Sequence, residues 1–580
     1  SLSPSESDAR TLQIRFHHQF DGQPLELSSR VSTQGTGPFS ITRCDYLVSG
    51  FRLQEKDGPW RPLKHFGTDV AYISAADGKG EITFENLPTG TFSALGFDLG
   101  VSGAINASDP NSYPPDHPLN PAINGLHWGW QGGYIHLALE GHFEAPNDGP
   151  SGFSYHIAKD GNRIPIILET ALTTERDCTV EIGFDLARTF NAHSFTRDGT
   201  STHSRKGDPL VSLFRKRIES AFHISGMIRE TWQPIVRTGT ATTSVGRPFD
   251  FRIPNRFPKA ALPPDNFPTV EGVTLGRRLF LEKRLSKNEA QSCADCHEPK
   301  RAFTENRPIS LGSAGQNGSR NAMPLTNLLW EKEFFWDGRA PSLREQVLRP
   351  IEDAHEMNLP LSEATERLSS DPTYRKAFAS SFGSPVITSE RMALALEQYL
   401  LTEISTDSRF DQAMRRETQF TAEEKRGFEL FITEFDPARN LKGADCFHCH
   451  GGTLFTNHRY ANNGLDETFA DLGRFAVTKN QGDYGLFKTP SLRNVAVTGP
   501  YMHDGHFATL EEVIDHYDHG IQRTLTLDPN IAKHPESGLG LSDSDKKALI
   551  AFLQTLTDPR FSQPQSGKND EPEISRTSAP

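Results

Sequence analysis

Two identical patterns of cysteine and histidine carry the clearest chemistry in this chain. They consist of Cys293, Cys296 and His297, and of Cys446, Cys449 and His450. The Cys-x-x-Cys-His spacing attaches a c-type haem, in which both thiols bond to the porphyrin and the histidine binds the iron. The alternatives are a zinc site or a thioredoxin-like redox pair. Two copies of the pattern among six cysteines favour two c-type haems, and because such haems are attached outside the cytoplasm, we expect a periplasmic protein.

The other two cysteines, Cys44 and Cys178, both lie in the amino-terminal half. They form either one disulfide, which would suit an oxidising compartment, or two unpaired buried thiols. The sequence leaves both alternatives open.

The composition excludes several classes of partner. A formal net charge of −13 argues against nucleic acid and against an anionic membrane surface. No apolar run approaches the roughly 20 residues that span a bilayer. The polar start, residues 1–9, resembles a mature amino terminus with no signal peptide in view.

Residues 10–235 have the pattern of an all-β sandwich. Short alternating runs, at 11–16, 82–84, 134–139 and 178–184, are separated by Gly, Asp, Asn and Pro. One short amphipathic helix is expected at 210–222. Five prolines between residues 252 and 272 predict a stiff linker and a domain boundary.

From residue 275 onward the apolar spacing is helical, and we expect helices at 361–382, 389–403, 422–435, 510–517 and 544–556. The fold class is therefore multidomain, an all-β sandwich followed by mainly α-helical haem lobes. The expected domains are a sandwich domain (1–250), the linker (251–272), a first haem lobe (273–415), a second haem lobe (416–562) and a disordered tail (563–580).

Around the two motifs the sequence resembles the di-haem cytochrome c peroxidase and MauG family, from about residue 274 to 556. The matching stretches are LGRRLF at 275–280, RN at 320–321, FWDGR at 335–339, PI at 350–351, EM at 356–357, PSLRN at 490–494 and PYMHDG at 500–505. The resemblance implies an enzyme that uses hydrogen peroxide.

The resemblance also assigns roles at the first haem. Glu356 matches a distal carboxylate that moves a proton between the two peroxide oxygens, which is general acid–base chemistry. Gln346 and Pro350 match residues that cover the same pocket. Trp336 matches a tryptophan between the haems that relays electrons, although a purely structural core position is compatible with it too.

One loop departs from the peroxidases that need reductive activation. In those enzymes a histidine before the Arg-Asn pair blocks the first iron, whereas the loop 310–319 of this chain contains no histidine. We therefore expect a five-coordinate first haem. The resemblance further implies a calcium site formed by Asn321, Thr498 and Pro500, whose oxygens suit a hard cation.

The second haem needs a distal ligand, and the sequence offers several. Met502 is the first choice, because the chain has only six methionines and one lies in this motif. Tyr517 is the second choice, since it falls where the family has its methionine or tyrosine ligand. His506 and His516 are also close in sequence.

The amino-terminal half resembles the copper-associated MbnP family, over about residues 11–222. The similarity rests on IRFHH at 14–18, residues 47–53, LHWGWQGGY at 126–134, LEG at 139–141 and FSYH at 153–156. MbnP proteins are encoded beside a MauG-like enzyme, MbnH, that converts a tryptophan of its partner to kynurenine.

The MbnP resemblance suggests that enzyme and substrate are fused in this chain. Trp128 and Trp130 are the candidate substrates. His18 and His156, with His17 and His127 near them in sequence, are candidate copper ligands; the simpler alternative is core tryptophans and surface histidines.

Three functions follow. The first is a peroxide-driven enzyme that oxidises a tryptophan of its own amino-terminal domain. The second is a peroxidase fed by an external donor, such as a small electron-transfer protein. The third is a non-enzymatic electron-transfer and copper-handling protein, against which Glu356 and the histidine-free loop argue.

Overall fold

The computed structural model describes residues 11–562, apart from 57, 64–68, 77–79, 86, 88–89, 130–131, 146–148, 175–177, 229–244, 250–252 and 255. The tail expected to be disordered therefore lies outside the described residues, as does Trp130. None of the described helices is both long and apolar enough to cross a bilayer.

The amino-terminal part is built from strands. They are β1 Leu12–Phe20, β2 Gln23–Pro24, β3 Arg30–Thr33, β4 Gly37–Glu55, β5 Trp60–Pro62, β6 Ala71–Ser74, β7 Glu81–Phe84, β8 Thr91–Leu99, β9 Ile135–Ala145, β10 Gly149–Ala158, β11 Ile164–Thr173, β12 Cys178–Asp185, β13 Ser201–Thr202 and β14 Phe222–Ile228. The carboxy-terminal part adds the two-residue strands β15 Phe435–Asp436, β16 Leu441–Lys442, β17 Tyr460–Ala461 and β18 Phe487–Lys488.

Five short helices belong to the amino-terminal part: α1 Gly103–Asn106, α2 Pro121–Asn124, α3 Leu186–Phe190, α4 Phe195–Asp198 and α5 Pro209–Glu219. The other helices lie in the carboxy-terminal part: α6 Val270–Phe280, α7 Cys293–Cys296, α8 Leu343–Gln346, α9 Arg349–Glu352, α10 Leu361–Ser369, α11 Pro372–Phe382, α12 Ser389–Leu401, α13 Arg409–Met414, α14 Ala422–Phe431, α15 Phe475–Thr478, α16 Leu510–His519, α17 Pro529–Ala532 and α18 Asp543–Gln554.

The amino-terminal strands form two sheets that pack face to face, whereas β15 with β16 and β17 with β18 form two separate two-stranded sheets. One sheet has the order β14-β12-β1-β2, with β7 also on β1; the other has the order β11-β8-β4-β9-β10-β13, with β3, β5 and β6 also on β4. Phe16 of the first sheet meets Tyr46 and Phe97 of the second edge to face, at ring distances of 6.3 and 5.5 Å. These contacts form the core of the expected β-sandwich.

The two cysteines outside the haem motifs, both of which the structure describes, are not joined. Cys44 lies in β4 and Cys178 in β12, on different sheets, and both side chains are buried. Of the two alternatives, the structure has buried cysteines without the disulfide.

Each haem lobe contains one close helix pair. In the first lobe Gly276 of α6 lies against the carbonyl oxygen of Ala395 in α12, and a Cβ there would collide with it. In the second lobe Gly427 of α14 has the same relation to the carbonyl oxygen of Ala548 in α18. The repeated arrangement agrees with two structurally related lobes.

The helix expected over 361–382 is two helices. Pro372 begins α11, and the side chain of Asp371 caps it by accepting from the backbone N–H of Thr373. Proline has no N–H and clashes with the preceding turn, so α10 ends before it. The predicted helix at 422–435 also ends early, because Phe435 enters β15.

The proline-rich linker packs against the first lobe rather than standing free. Phe257 is buried in that lobe's core. The amide of Asn266 donates to Glu397 Oε2 at 2.7 Å and to the carbonyl of Leu394 at 3.0 Å. These contacts attach the linker to helix α12.

Candidate functional site

The first haem motif lies on the short helix α7. Its start is fixed by Ser292 and Asp295, which cap each other, with the backbone N–H of Ser292 donating to Asp295 Oδ2 at 2.7 Å. His297 follows the helix, and its Nδ1 lies 2.8 Å from the carbonyl oxygen of Phe303. A hydrogen bond from Nδ1–H orients the ring and leaves Nε2 as the iron ligand.

The second motif repeats this arrangement. Its cysteines flank a short turn, Cys446–His448, and His450 Nδ1 lies 3.2 Å from the carbonyl oxygen of Phe455. Burial lowers the pKa of His450 to about 4, so the ring is neutral, as an iron ligand must be. Thiols and oriented imidazoles thus fit a c-type haem at both motifs.

A cavity of about 210 Å³ opens beside the first motif. The distal residues expected from the sequence line it together with the haem-attaching residues. The lining includes Cys293, Cys296, His297, Asn321, Trp336, Gln346, Pro350 and Glu356. Segments from Phe280 to Arg493 thus converge on one volume, as a haem pocket requires.

Glu356 has the electrostatics of a proton-transfer group. Burial, and then the charge of Asp353, raise the pKa of Glu356 to about 7, against the lowering effect of Arg339. A carboxyl group that titrates near neutral pH can both accept and return a proton. Arg339 was not anticipated from the sequence as a partner of this group.

The loop 310–319 forms part of the cavity wall. The backbone N–H of Ser313 donates to the carbonyl of Glu356 at 2.7 Å, and Gly312 lies against the carbonyl of His355, where a Cβ would not fit. The loop therefore holds the turn that carries Glu356. His355 also borders the cavity, but its side chain is 69% exposed and lies 3.5 Å from Asp353.

Trp336 lines the cavity beside the first haem motif. It is buried, and its indole N–H donates to the carbonyl of Asn321 at 2.9 Å. The backbone N–H of Lys488 donates to the Trp336 carbonyl at 2.7 Å. Two residues further on, Pro490 lines the first cavity and has its carbonyl near the His450 ring. A short segment thus connects the two haem sites.

The expected calcium ligands lie in two segments that touch. The backbone N–H of Asn321 donates to the carbonyl of His503 at 2.7 Å, in the turn that follows Pro500. The Asn321 side-chain nitrogen donates to two backbone carbonyls at 3.1 and 3.0 Å, which fixes the orientation of the amide. Thr498 donates its hydroxyl to the carbonyl of Val495 at 3.2 Å, leaving its oxygen able to accept.

Both candidate distal ligands of the second haem meet at Asn463. The Asn463 amide donates to Met502 Sδ at 3.1 Å and also hydrogen-bonds to Tyr517. Burial raises the pKa of Tyr517, whose hydroxyl also lies within electrostatic range of the Cys449 and Cys446 sulfurs. Tyr517 is therefore close to the cysteines of the second motif.

The two histidines near this position are placed differently. His516 Nε2 lies 3.0 Å from the carbonyl of Asn463, so that nitrogen already has a partner. The side chain of His506 is 53% exposed and faces Asp504 at 3.6 Å.

The amino-terminal domain packs directly on the second haem lobe. Gly129 approaches Gly452, just after the second motif, so closely that a Cβ would lie 3.3 Å from the Gly452 Cα. Trp128, the neighbour of Gly129, is 6% exposed. The interface also contains an ion pair between Arg459 and Asp45. Trp128 is thus buried close to the second haem motif.

His18 and His156 lie on opposite sides of the second sheet, with His18 on β1 of the first sheet and His156 on β10 of the second. His156 and Asp45 are both paired with Ala138 and share one face. The ring of His18 packs against Tyr46, at 5.6 Å, on the other face. The expected copper pair is therefore not formed, because the backbone of the sheet separates the two imidazoles. The alternation of side chains along β4 decides this, because Asp45 and Tyr46 point to opposite faces of the sheet.

The structure instead brings His156 together with two histidines that sequence analysis did not single out. His156, His203 and His448 place ring nitrogens within 4.8 Å of one another. The position of His448 between the haem-attaching cysteines is the one feature of the sequence that could have pointed to this group. His17 is half exposed near Glu181, and His127 packs on Tyr134; neither belongs to this group.

Comparison with known proteins agrees with the two halves of the chain. The family described as "Di-haem cytochrome c peroxidase" matches residues 270–419, and the MbnP family matches residues 9–204. The chain is similar to the methylamine utilization protein MauG of Methylophilus methylotrophus, at 36% identity over 53% of this chain and 87% of the relative. It is also similar to the cytochrome c551 peroxidase of Nitrosomonas europaea, at 32% identity over 54% of this chain and 89% of the relative.

Two solved structures are similar to separate parts of the chain. A MauG-like protein associated with microbial copper homeostasis is 34% identical with a TM-score of 0.49, covering 55% of this chain and 99% of its own. MbnP from Methylosinus trichosporium is 17% identical with a TM-score of 0.28, and the similarity covers 36% of this chain and 87% of that protein. From its relatives and its two haem motifs, the chain is a haem-dependent peroxidase of the di-haem cytochrome c peroxidase and MauG family, fused to an MbnP domain on its amino-terminal side.

Proposed function

We propose that the chain uses hydrogen peroxide to oxidise Trp128 of its own amino-terminal domain to kynurenine. The observation that carries the proposal is the position of Trp128, buried where its neighbour Gly129 meets Gly452 of the second haem lobe. The Trp128 ring lies 5.9 Å from that of His203, which lies 4.8 Å from the ring of His448 between the haem cysteines. Because the indole is buried in this position, it is better placed for oxidation by the haem sites than for oxidation by molecules in solution.

Glu356 does the proton chemistry at the first haem. When bound, the two c-type haems supply the iron chemistry through which peroxide removes electrons. Glu356 accepts the proton of one peroxide oxygen and returns it to the other, so that water leaves. Gln346 and Pro350 cover the pocket, and Trp336 with the Lys488–Pro490 segment carries electrons between the two sites.

The oxidation balances with two molecules of peroxide. The bond between C2 and C3 of the indole breaks and each carbon gains one oxygen, which is a four-electron oxidation matched by two peroxides. Hydrolysis then releases the formyl group. Tryptophan and two hydrogen peroxides thus yield kynurenine, formic acid and one water.

Two further assignments belong to the proposal. The position of Tyr517 near Cys446 and Cys449 supports Tyr517 over Met502 as distal ligand of the second haem, the reverse of the order expected from sequence. Asn321, Thr498 and Pro500 are proposed as calcium ligands.

Two assignments concern the chain as a whole. The proposed division is the one expected from sequence, with boundaries near residues 250, 272, 415 and 562. Haem attachment and the relatives support an exported, periplasmic protein.

Peptide mapping of the haem-loaded chain before and after peroxide tests the function. We expect kynurenine at position 128, and far less of it at the same reaction time in a Glu356→Gln variant, whose reaction with peroxide should be about 10²–10⁴-fold slower. Modification at Trp130 alone would mean that Trp130, and not Trp128, is the substrate. Peroxide consumption with both tryptophans intact would refute oxidation of the domain.

A second candidate is a peroxidase fed by an external electron-transfer protein. It is favoured by the relatives that are cytochrome c551 peroxidases. This function predicts sustained turnover with a reduced small cytochrome and no change at Trp128. The self-oxidising enzyme instead stops after a limited number of peroxides.

A further inference from the structure

Tyr460 lines a large cavity at the interface between the amino-terminal domain and the second haem lobe. This cavity has a volume of about 1540 Å³. Glu331 and Lys488 line both the interface cavity and the smaller cavity beside the first haem motif. The two cavities are therefore separated by a thin wall to which these two side chains belong.

Two short connections join Tyr460 to Trp336, which lines the first haem cavity. Tyr460 begins β17 and pairs with Lys488 of β18, whose backbone N–H donates to the Trp336 carbonyl at 2.7 Å. The Tyr460 hydroxyl packs on Gly338, two residues after Trp336, so closely that a Cβ on this glycine would collide with the phenol oxygen. An electron leaving Tyr460 therefore has a short path to the indole of Trp336.

Glu333 is placed to take the phenol proton. The Tyr460 hydroxyl donates to Glu333 Oε2 at 2.6 Å, whereas Glu333 Oε1 accepts from Arg474 Nη2 at 3.1 Å. Burial, and then the hydrogen bond to Glu333, raise the pKa of Tyr460, so the phenol carries its proton at neutral pH. The Glu333 side chain is 38% exposed, so a proton that it accepts can pass on to water in the cavity.

Arg474 couples the loss of an electron to the loss of this proton. Its guanidinium lies 4.2 Å over the Tyr460 ring and donates to the carbonyls of Asp337 and Gly338 at 2.9 and 3.2 Å. A fixed positive charge at this distance opposes a second positive charge on the ring. Oxidation of Tyr460 is therefore favourable when the proton leaves with the electron, and its product is a neutral tyrosyl radical.

Aromatic side chains in the interface cavity suit an aromatic electron donor. Phe469 and Tyr484 line the same cavity and meet edge to face, with their ring centroids 5.5 Å apart. Such rings pack favourably against a further aromatic ring, and the cavity volume exceeds what a small phenol needs. A phenol bound there can give a hydrogen atom to a tyrosyl radical, because the two O–H bonds are of the same kind.

We propose that Tyr460 is a second oxidisable site, through which oxidising equivalents from peroxide reach the interface cavity and are consumed by small phenols. One electron passes from Tyr460 by way of Trp336 towards the first haem site, and the phenol proton passes to Glu333 and then to water. A phenol in the cavity restores Tyr460 by giving it a hydrogen atom. Two such cycles supply the two electrons and two protons that convert one hydrogen peroxide to two waters. The proposal rests on the peroxidase activity and not on the oxidation of Trp128.

The test is freeze-quench EPR of the full, haem-loaded chain mixed with excess peroxide. Every sample carries Trp128→Phe, so that a radical on this indole cannot contribute and the outcome does not depend on its oxidation. We expect a tyrosyl radical signal that narrows when the tyrosines are ring-deuterated, and that is lost in Tyr460→Phe. Tyr374→Phe is the matched control. Tyr374 also donates to a carboxylate, Glu282, at 2.8 Å, but it belongs to the buried core of the first lobe, so the signal should be unchanged.

Glu333→Gln gives an independent measurement if Tyr460→Phe does not fold, which haem absorption reports. It keeps the phenol and removes the proton acceptor, so the radical signal should be lost or much reduced. Hydroquinone is the probe for the phenol: it should quench the signal, and its oxidation to benzoquinone should be lost in Tyr460→Phe and kept in Tyr374→Phe. Peroxide consumption without a tyrosyl signal, a signal that survives in Tyr460→Phe, or benzoquinone formation that Tyr460→Phe does not slow would each overturn the proposal.

Discussion

Replacing Glu356 by Gln removes the proposed proton carrier while keeping the size of the side chain. The pKa of Glu356 is raised to about 7, first by burial and then by the charge of Asp353. Glutamine fills the same space in the cavity but cannot accept a proton from peroxide. Haem attachment should be unaffected, because neither Cys-x-x-Cys-His motif includes this residue.

The size of the effect follows from the chemistry of proton transfer. Loss of a general acid–base group slows reactions by about 10²–10⁴-fold, which corresponds to roughly 3 to 5 kcal/mol of barrier. Only the ionised carboxylate is active as a base. With a pKa of about 7, roughly half is ionised at pH 7 and about nine-tenths at pH 8. The rate constant should therefore rise with pH and level off above neutrality.

Stopped-flow absorption of the resting haems mixed with peroxide measures this bimolecular rate constant across pH. Two controls shift the profile in opposite directions. Asp353→Asn removes a charge that raises the pKa of Glu356, so the profile should move to lower pH. Arg339→Gln removes a charge that lowers it, so the profile should move to higher pH. A Glu356→Gln variant with unchanged rate and pH profile would refute the assignment.

Further predictions concern the haems and the fold. The resting first haem should give a high-spin EPR signal at neutral pH, because the loop 310–319 has no histidine; two low-spin haems with no high-spin signal would contradict this. Tyr517→Phe should change the absorption of the second haem alone, whereas a change only in Met502→Ala would restore the methionine assignment. Asp411→Ala should lower the free energy of unfolding, measured by chemical denaturation, by about 3–5 kcal/mol. The reason is that the fully buried Arg493 loses its bidentate partner, whose two carboxylate oxygens lie at 2.9 and 3.0 Å. A loss below about 1 kcal/mol would be inconsistent with a buried ion pair.

Local patterns were the predictable part of the fold. The β-sandwich and the mainly helical haem lobes are confirmed, since alternation over single strands and apolar spacing over single helices are properties of short segments. The two haem motifs are predictable for the same reason, because their ligands are contiguous in sequence. The single helix predicted at 361–382 is wrong, because Pro372 ends one helix and begins another although the apolar spacing continues across it.

Contacts between distant segments could not be predicted. The group of His156, His203 and His448 joins residues from two domains, and only the packing of β10 against the second lobe creates it. His18 and His156 looked equivalent in sequence, but their separation depends on which face of the sheet each strand turns toward the core. The same limit applies to Arg339, whose influence on Glu356 arises from the shape of the cavity.

Intact mass of the haem-loaded chain is the most direct test of self-oxidation. The unaltered chain, treated with two equivalents of peroxide, should gain one oxygen atom and lose one carbon atom. Trp128→Phe, matched in haem content, should show no such change. Peroxide consumed by the unaltered chain with no change in mass would contradict the account and leave an externally fed peroxidase as the better description.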